Sequence, residues 1–157
     1  MKSIAPKPVS LAAQLLSLQR RFPAGRGFIR RSLLVWSLTI RPHALAHAYQ
    51  CKVEHKLQDY PRVYCLEPVL SKLAGGRKLP HVYARTEPTW MCLFMRQRQC
   101  WNDGMSLADI VVPMTYFWLA NFEDWLYSGE WRGGGTHETK PEPPTSTPLF
   151  PGEIAYP

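Results

Sequence analysis

Long apolar runs are missing from this sequence. The longest, residues 110–120, is interrupted by Pro113 and Thr115 and falls short of the ~18 residues that a membrane-spanning helix needs. Pro6, Pro8, Gln14 and Ser17 break up any signal-peptide core near the start, so a soluble cytoplasmic protein is expected. Metal-binding cysteine spacing is missing too. Cys51, Cys65, Cys92 and Cys100 lie 14, 27 and 8 positions apart, with no C-x-x-C pair. No metal or other cofactor is expected, and in a reducing compartment the four are thiols. Acid is scarce at the front: residues 1–62 hold 11 Lys/Arg against 2 Asp/Glu, whereas residues 63–132 balance at 7 and 7. The overall +7 therefore belongs to the N-terminal part, where it could attract an acidic partner.

What is present is a core. The 157 residues are 45% hydrophobic and 20% charged, with six Trp, seven Tyr and six Phe, which excludes bulk disorder and suits one domain. Ser10 can cap a first helix in which Leu11, Leu15, Leu18 and Phe22 recur at helical spacing, closed by Pro23 and Gly25. Arg26, Arg30 and Arg31 follow in a loop and at the start of the next element. Residues 32–40 alternate as a strand with Leu34, Trp36, Leu38 and Ile40 inward. Residues 46–57 repeat the pattern with Tyr49, Cys51, Val53 and Leu57 inward, and residues 62–66 form a third, shorter strand. Short turns between them predict an antiparallel meander.

Residues 69–91 read as a long irregular loop that ends at Met91-Cys92-Leu93-Phe94, a length unusual unless the loop serves a site. Asn102-Asp103-Gly104 forms a turn, and Ser106 caps a helix expected to break at Pro113 and resume over 115–127, with Phe117, Trp118, Phe122 and Trp125 against the sheet. The globular part ends near residue 132. Residues 133–157 open on three glycines, contain six prolines and read as an extended tail. The plan is α+β with helices segregated from an antiparallel sheet.

Cys51 and Cys65 fall on strands and read as core. Cys92 closes a loop, with Arg85, Arg96 and Arg98 nearby to stabilise a thiolate. Spacing alone leaves it either reactive or a small buried hydrophobe, and Cys100, beside Trp101, is its rival.

Five elements, in order, resemble the ubiquitin-conjugating-enzyme family (the UBC fold). These are a strand meander, Tyr60-Pro61 at a turn with Pro68 after the third strand, His81 11 residues before Cys92, the Met91-Cys92-Leu93 context, and Trp101 nine residues after the cysteine. The likeness spans roughly residues 10–127. His81-Val82-Tyr83 stands where the family has His-Pro-Asn, and the two last helices of eukaryotic members are absent. The ending, with Trp125, Trp131 and Gly133-Gly134-Gly135-Thr136-His137, is similar to divergent prokaryotic members from CBASS anti-phage operons.

The resemblance implies a transferase in which Cys92 takes a partner's C-terminal carboxyl as a thioester and passes it to an acceptor lysine. The implied donor is the C-terminus of a cGAS-like nucleotidyltransferase. The tetrahedral oxyanion needs a donor in place of the family's Asn, and Tyr83, Asn102 or backbone N–H groups around Cys92 are the choices. Asp103 or His137 could take the lysine proton, while His81 shapes the loop. Arg20, Arg21, Arg26, Arg30 and Arg31 would form the partner-docking surface, because the first helix commonly serves that role in the family. A non-catalytic binding module is the alternative reading. A nucleic-acid partner is disfavoured, since no motif for one appears.

Overall fold

The computed structural model describes residues 6–84, 87–94 and 100–134. Helix α1 (Leu11–Arg21) begins where the Ser10 hydroxyl accepts from the Ala13 N–H at 3.2 Å, and it carries Arg20 and Arg21 in its last turn. There the two cations complement the helix dipole. Strands β1 (Arg26–Arg30), β2 (Leu33–Ile40), β3 (Tyr49–His55) and β4 (Arg62–Glu67) follow as an antiparallel meander. A short helix α2 (Leu70–Leu73), strands β5 (Val82–Ala84) and β6 (Thr89–Met91), a π-helical turn (Leu107–Val111) and helix α3 (Val112–Ser128) complete the order. The sheet runs β1-β2-β3-β4-β6-β5.

The inward residues of β2 and β3 are as expected: Leu34, Trp36, Leu38, Ile40, Tyr49, Cys51 and Val53 are all buried. Several expectations need correction. Residues 26–30 form a strand rather than a loop. Gly27 permits it, because a Cβ there would collide with the Val35 carbonyl and the Trp36 indole. Residues 69–91 are not one irregular loop but contain α2, β5 and β6, two of these elements only three residues long. β3 ends at His55, which takes the last inward position, and Leu57 lies in the following turn at 42% exposure.

Helix α3 is uninterrupted from Val112. Val112 N–H bonds back five residues to the Leu107 carbonyl, and this wide turn leaves Pro113 in the first turn of α3, where a missing N–H breaks no bond. Trp118, Phe122 and Trp125 pack inward as expected, but Phe117 is 60% exposed.

Two buried polar side chains fasten the helices. Gln14 donates to the Met105 carbonyl (2.7 Å) and accepts from Leu107 N–H (2.9 Å), satisfying a donor that a helix start leaves open. Glu123 on α3 accepts from the Tyr49 hydroxyl (2.5 Å), His47 N–H (2.9 Å) and His47 Nδ1 (2.7 Å). Burial pushes its carboxyl pKa up, but the bonds from Tyr49 and His47 outweigh that and hold it below the usual range.

Candidate active site

Cys92 is the first residue after β6, where the chain leaves the sheet. Its backbone N–H donates to the His81 carbonyl (3.0 Å), and the Trp118 indole N–H donates to the same oxygen (3.1 Å). One carbonyl thus ties the cysteine's backbone to α3. His81 reaches this position in the left-handed region (φ 46°), uncommon for a side chain of its size. Its ring stacks on Trp131 with centroids 4.9 Å apart, and Trp131 also packs on Trp118. His81 therefore holds the loop through both its backbone and its ring.

The Cys92 side chain is half-buried, with Sγ 3.8 Å from the Phe94 carbonyl oxygen. The Tyr83 hydroxyl donates to that same oxygen. Phe94 is buried against Tyr60 and Trp101, so the oxygen shared by Tyr83 and the thiol is fixed. Cys92 opens onto a groove with a volume of about 470 Å³. Ile110, Met114, Phe117 and Trp118 line its helical side, and Cys100, Gly133 and Gly134 also line it. The lining is mostly apolar.

The other two cysteines differ. Cys51 and Cys65 face each other across β3 and β4 at 1% exposure. Hydrogen bonding with Cys65 and burial push the Cys51 thiol far up, which keeps it protonated and inert.

The structure brings together His81, Tyr83, Cys92 and Cys100. It does not bring Asn102 or Asp103 into the groove lining. The Asn102 side-chain oxygen Oδ1 accepts from Gly104 N–H at 2.9 Å and closes the turn. Asp103 is a joint: its carboxylate accepts from Gln58 N–H (2.7 Å) and its backbone carbonyl from Val9 N–H (2.7 Å). Its Oδ1 also stands 3.8 Å from Nε2 of buried His55. Burial lowers the His55 pKa, against the opposing pull of Asp103 and Asp59. His137 lies outside the described residues.

Of the arginines, Arg21 pairs with Asp109 at 2.6 Å, both more than half exposed, a geometry worth ~1 kcal/mol at most. Arg20 and Arg21 border a shallow depression with Leu16. Arg26 and Arg30 stand exposed on β1, and Arg31 occupies the turn after it. Sequence reasoning missed Gln14 and the His81 carbonyl. The only available signal for Gln14 was a polar residue on the apolar face of α1, and a backbone carbonyl leaves no signal in side-chain patterns.

Among the described residues, no group of three His, Cys, Asp or Glu converges as metal ligands, and no helix is long and apolar enough to cross a membrane. A comparison with curated proteins finds no match. The family model described as Type II CBASS E2 protein matches residues 14–138, about four-fifths of the chain, so the chain belongs to that family and, with it, to the conjugating-enzyme-like proteins of CBASS anti-phage systems.

Proposed function

We propose that the protein is a cysteine transferase that carries the C-terminus of a cGAS-like nucleotidyltransferase as a Cys92 thioester and hands it to an amine. The Cys92 thiolate attacks the already activated acyl carbon of the donor, and the activating group departs. A deprotonated acceptor lysine then attacks the thioester carbonyl. The tetrahedral oxyanion collapses, expels the Cys92 thiolate and leaves an isopeptide bond. Oxyanion stabilisation by one fixed donor is worth ~3–4 kcal/mol. Tyr83 is the candidate favoured by position, since its hydroxyl and the thiol meet at the Phe94 carbonyl. Asn102 keeps the right amide chemistry on the neighbouring turn. Asp103 or His137 would take the lysine proton, and His81 keeps the loop in shape.

The observation that carries this reading is the half-buried Cys92 side chain at the end of an apolar groove of about 470 Å³, in a chain of this family. Such a groove suits an extended, weakly polar C-terminal segment, whose backbone could run along α3 to the sulfur. Arg20, Arg21, Arg26, Arg30 and Arg31 would draw in the acidic surface of the donor.

The test is co-expression with the neighbouring nucleotidyltransferase, followed by non-reducing gel and mass spectrometry. A thiol-sensitive adduct mapping to Cys92, absent in Cys92→Ala and retained in Cys100→Ala, is the expected result. An adduct mapping to any other cysteine sinks the assignment. A second reading, a binding module without catalysis, draws support from His81-Val82-Tyr83 at the place of His-Pro-Asn. It is the outcome if the complex forms in wild type and Cys92→Ala alike with no covalent adduct in either.

A further inference from the structure

We propose that β1 is a docking edge that captures an extended acidic peptide by strand addition, reading the pattern acid–x–apolar–x–acid. β1 is the terminal strand on its side of the sheet, paired to β2 alone among the described strands. Arg31 and Ser32, both at positive φ (49° and 58°), form the two-residue turn between them. In such a hairpin the residues flanking the turn form a mutually hydrogen-bonded pair, and bonded and non-bonded pairs then alternate. Arg30 pairs with Leu33, Phe28 with Val35 and Arg26 with Ser37. These three therefore direct N–H and C=O toward β2, whereas Gly27 and Ile29 direct theirs outward, to the open edge.

Open edges are normally blunted by shortness, charge, proline or a bulge. β1 has neither proline nor a bulge in its pairing with β2, and its two arginines, which repel a second basic edge, leave the backbone row open to an acidic one. It presents apolar Phe28 and Ile29, at 55% and 38% exposure. Arg26, Phe28 and Arg30 share one face by the strand period, so an added strand would meet cation, aromatic, cation in that order. Because that order is palindromic, the peptide can run in either direction.

Charge selects the occupant. A second copy paired antiparallel about Phe28 would set Arg26 against the other chain's Arg30, and like charges directly opposite are destabilising. The chain's +7 opposes self-association further. A nucleic acid could meet the arginines but would leave the outward row of N–H and C=O groups unused. An acidic strand satisfies both the backbone row and the arginines. This inference rests on the reading of the arginines as a docking surface but not on the chemistry of Cys92.

The probe is a fluorescent peptide with a Glu-Thr-Leu-Thr-Glu core, followed by anisotropy. Saturable binding to the wild-type chain is expected. Ile29→Pro removes an outward N–H and leaves every β1–β2 bond intact, so affinity should fall at least tenfold with the melting temperature retained. N-methylation of the peptide's pairing amides should produce the same loss, and this arm decides if Ile29→Pro fails to fold. Cys92→Ala should bind as wild type, so a failed transfer reaction and a failed docking edge are told apart. Unchanged affinity with folded Ile29→Pro overturns the proposal. So does equal binding of a peptide of the same composition with its glutamates adjacent, a dimer dissolved by Ile29→Pro, or an oligothymidylate that binds tighter than the peptide.

Discussion

Cys51 and Cys65 differ from Cys92 and Cys100 in nothing but position, and the contrast shows how this fold sorts one side chain into two chemistries. The first pair lies on inward positions of adjacent central strands, where register turns each sulfur toward the core. The second pair borders a groove where the chain has left the sheet. Strand periodicity seals a thiol; departure from the strand exposes it.

The widest separation should appear in alkylation of the native protein. Cys92 and Cys100 should react with iodoacetamide on the order of 1,000-fold faster than Cys51 and Cys65, which need an opening of the sheet first; peptide mass spectrometry over time measures this. Comparable rates at all four would erase the contrast. Next in size is Glu123→Ala. Leaving Tyr49 and His47 without their acceptor should cost about 3 kcal/mol in urea unfolding. It should speed alkylation of Cys51 and Cys65 while leaving Cys92 as it was, because Glu123 holds His47 and Tyr49 and is not part of the groove lining.

Acid should loosen the protein in two windows. His55 is buried with a depressed pKa, so the unfolded chain binds the proton more readily. Stability is therefore lost as pH falls below the ordinary histidine value of ~6.5, at up to ~1.4 kcal/mol per pH unit. His55→Leu should flatten urea midpoints between pH 7 and 5. Glu123, also depressed, contributes stability above the ordinary glutamate value and loses it as pH falls through its lower folded value. That loss should appear as a second, more acidic decline absent in Glu123→Gln. Smallest is the pair Arg31→Asn with Ser32→Gly. Both positions have positive φ, which asparagine and glycine tolerate better, so a gain of ~1 kcal/mol in thermal stability is expected. The labelling order of the four cysteines should not change.

Much of the fold was legible because it follows local rules. β2 and β3 alternate strictly, and Ser10 and Ser106 each stand one residue ahead of a helical pattern. What escaped has physical reasons. β1 is an edge strand with arginines at both ends and nothing buried, so it shows no period-two signal. β5 and β6 span three residues each, too few for periodicity, and exist because β4 offers β6 a pairing edge. Phe117 looks inward in a list of aromatics, yet the phase of α3 turns it to solvent at the groove. Of the site, Cys92 was visible through its neighbours, whereas the acceptor that holds it is a backbone oxygen of His81.

By itself, then, the order of residues determined which segments alternate, where helices begin, how charge divides along the chain and which cysteine sits in a conjugating-enzyme context. These depend on neighbours a few positions apart. Only the folded chain decided which edge of the sheet stays open, that Gln14 and Glu123 anchor the helices, and that His81, Tyr83 and Trp118 converge on Cys92. Those contacts join residues from 11 to more than 90 positions apart, and their partners exist only once the sheet and α3 have packed.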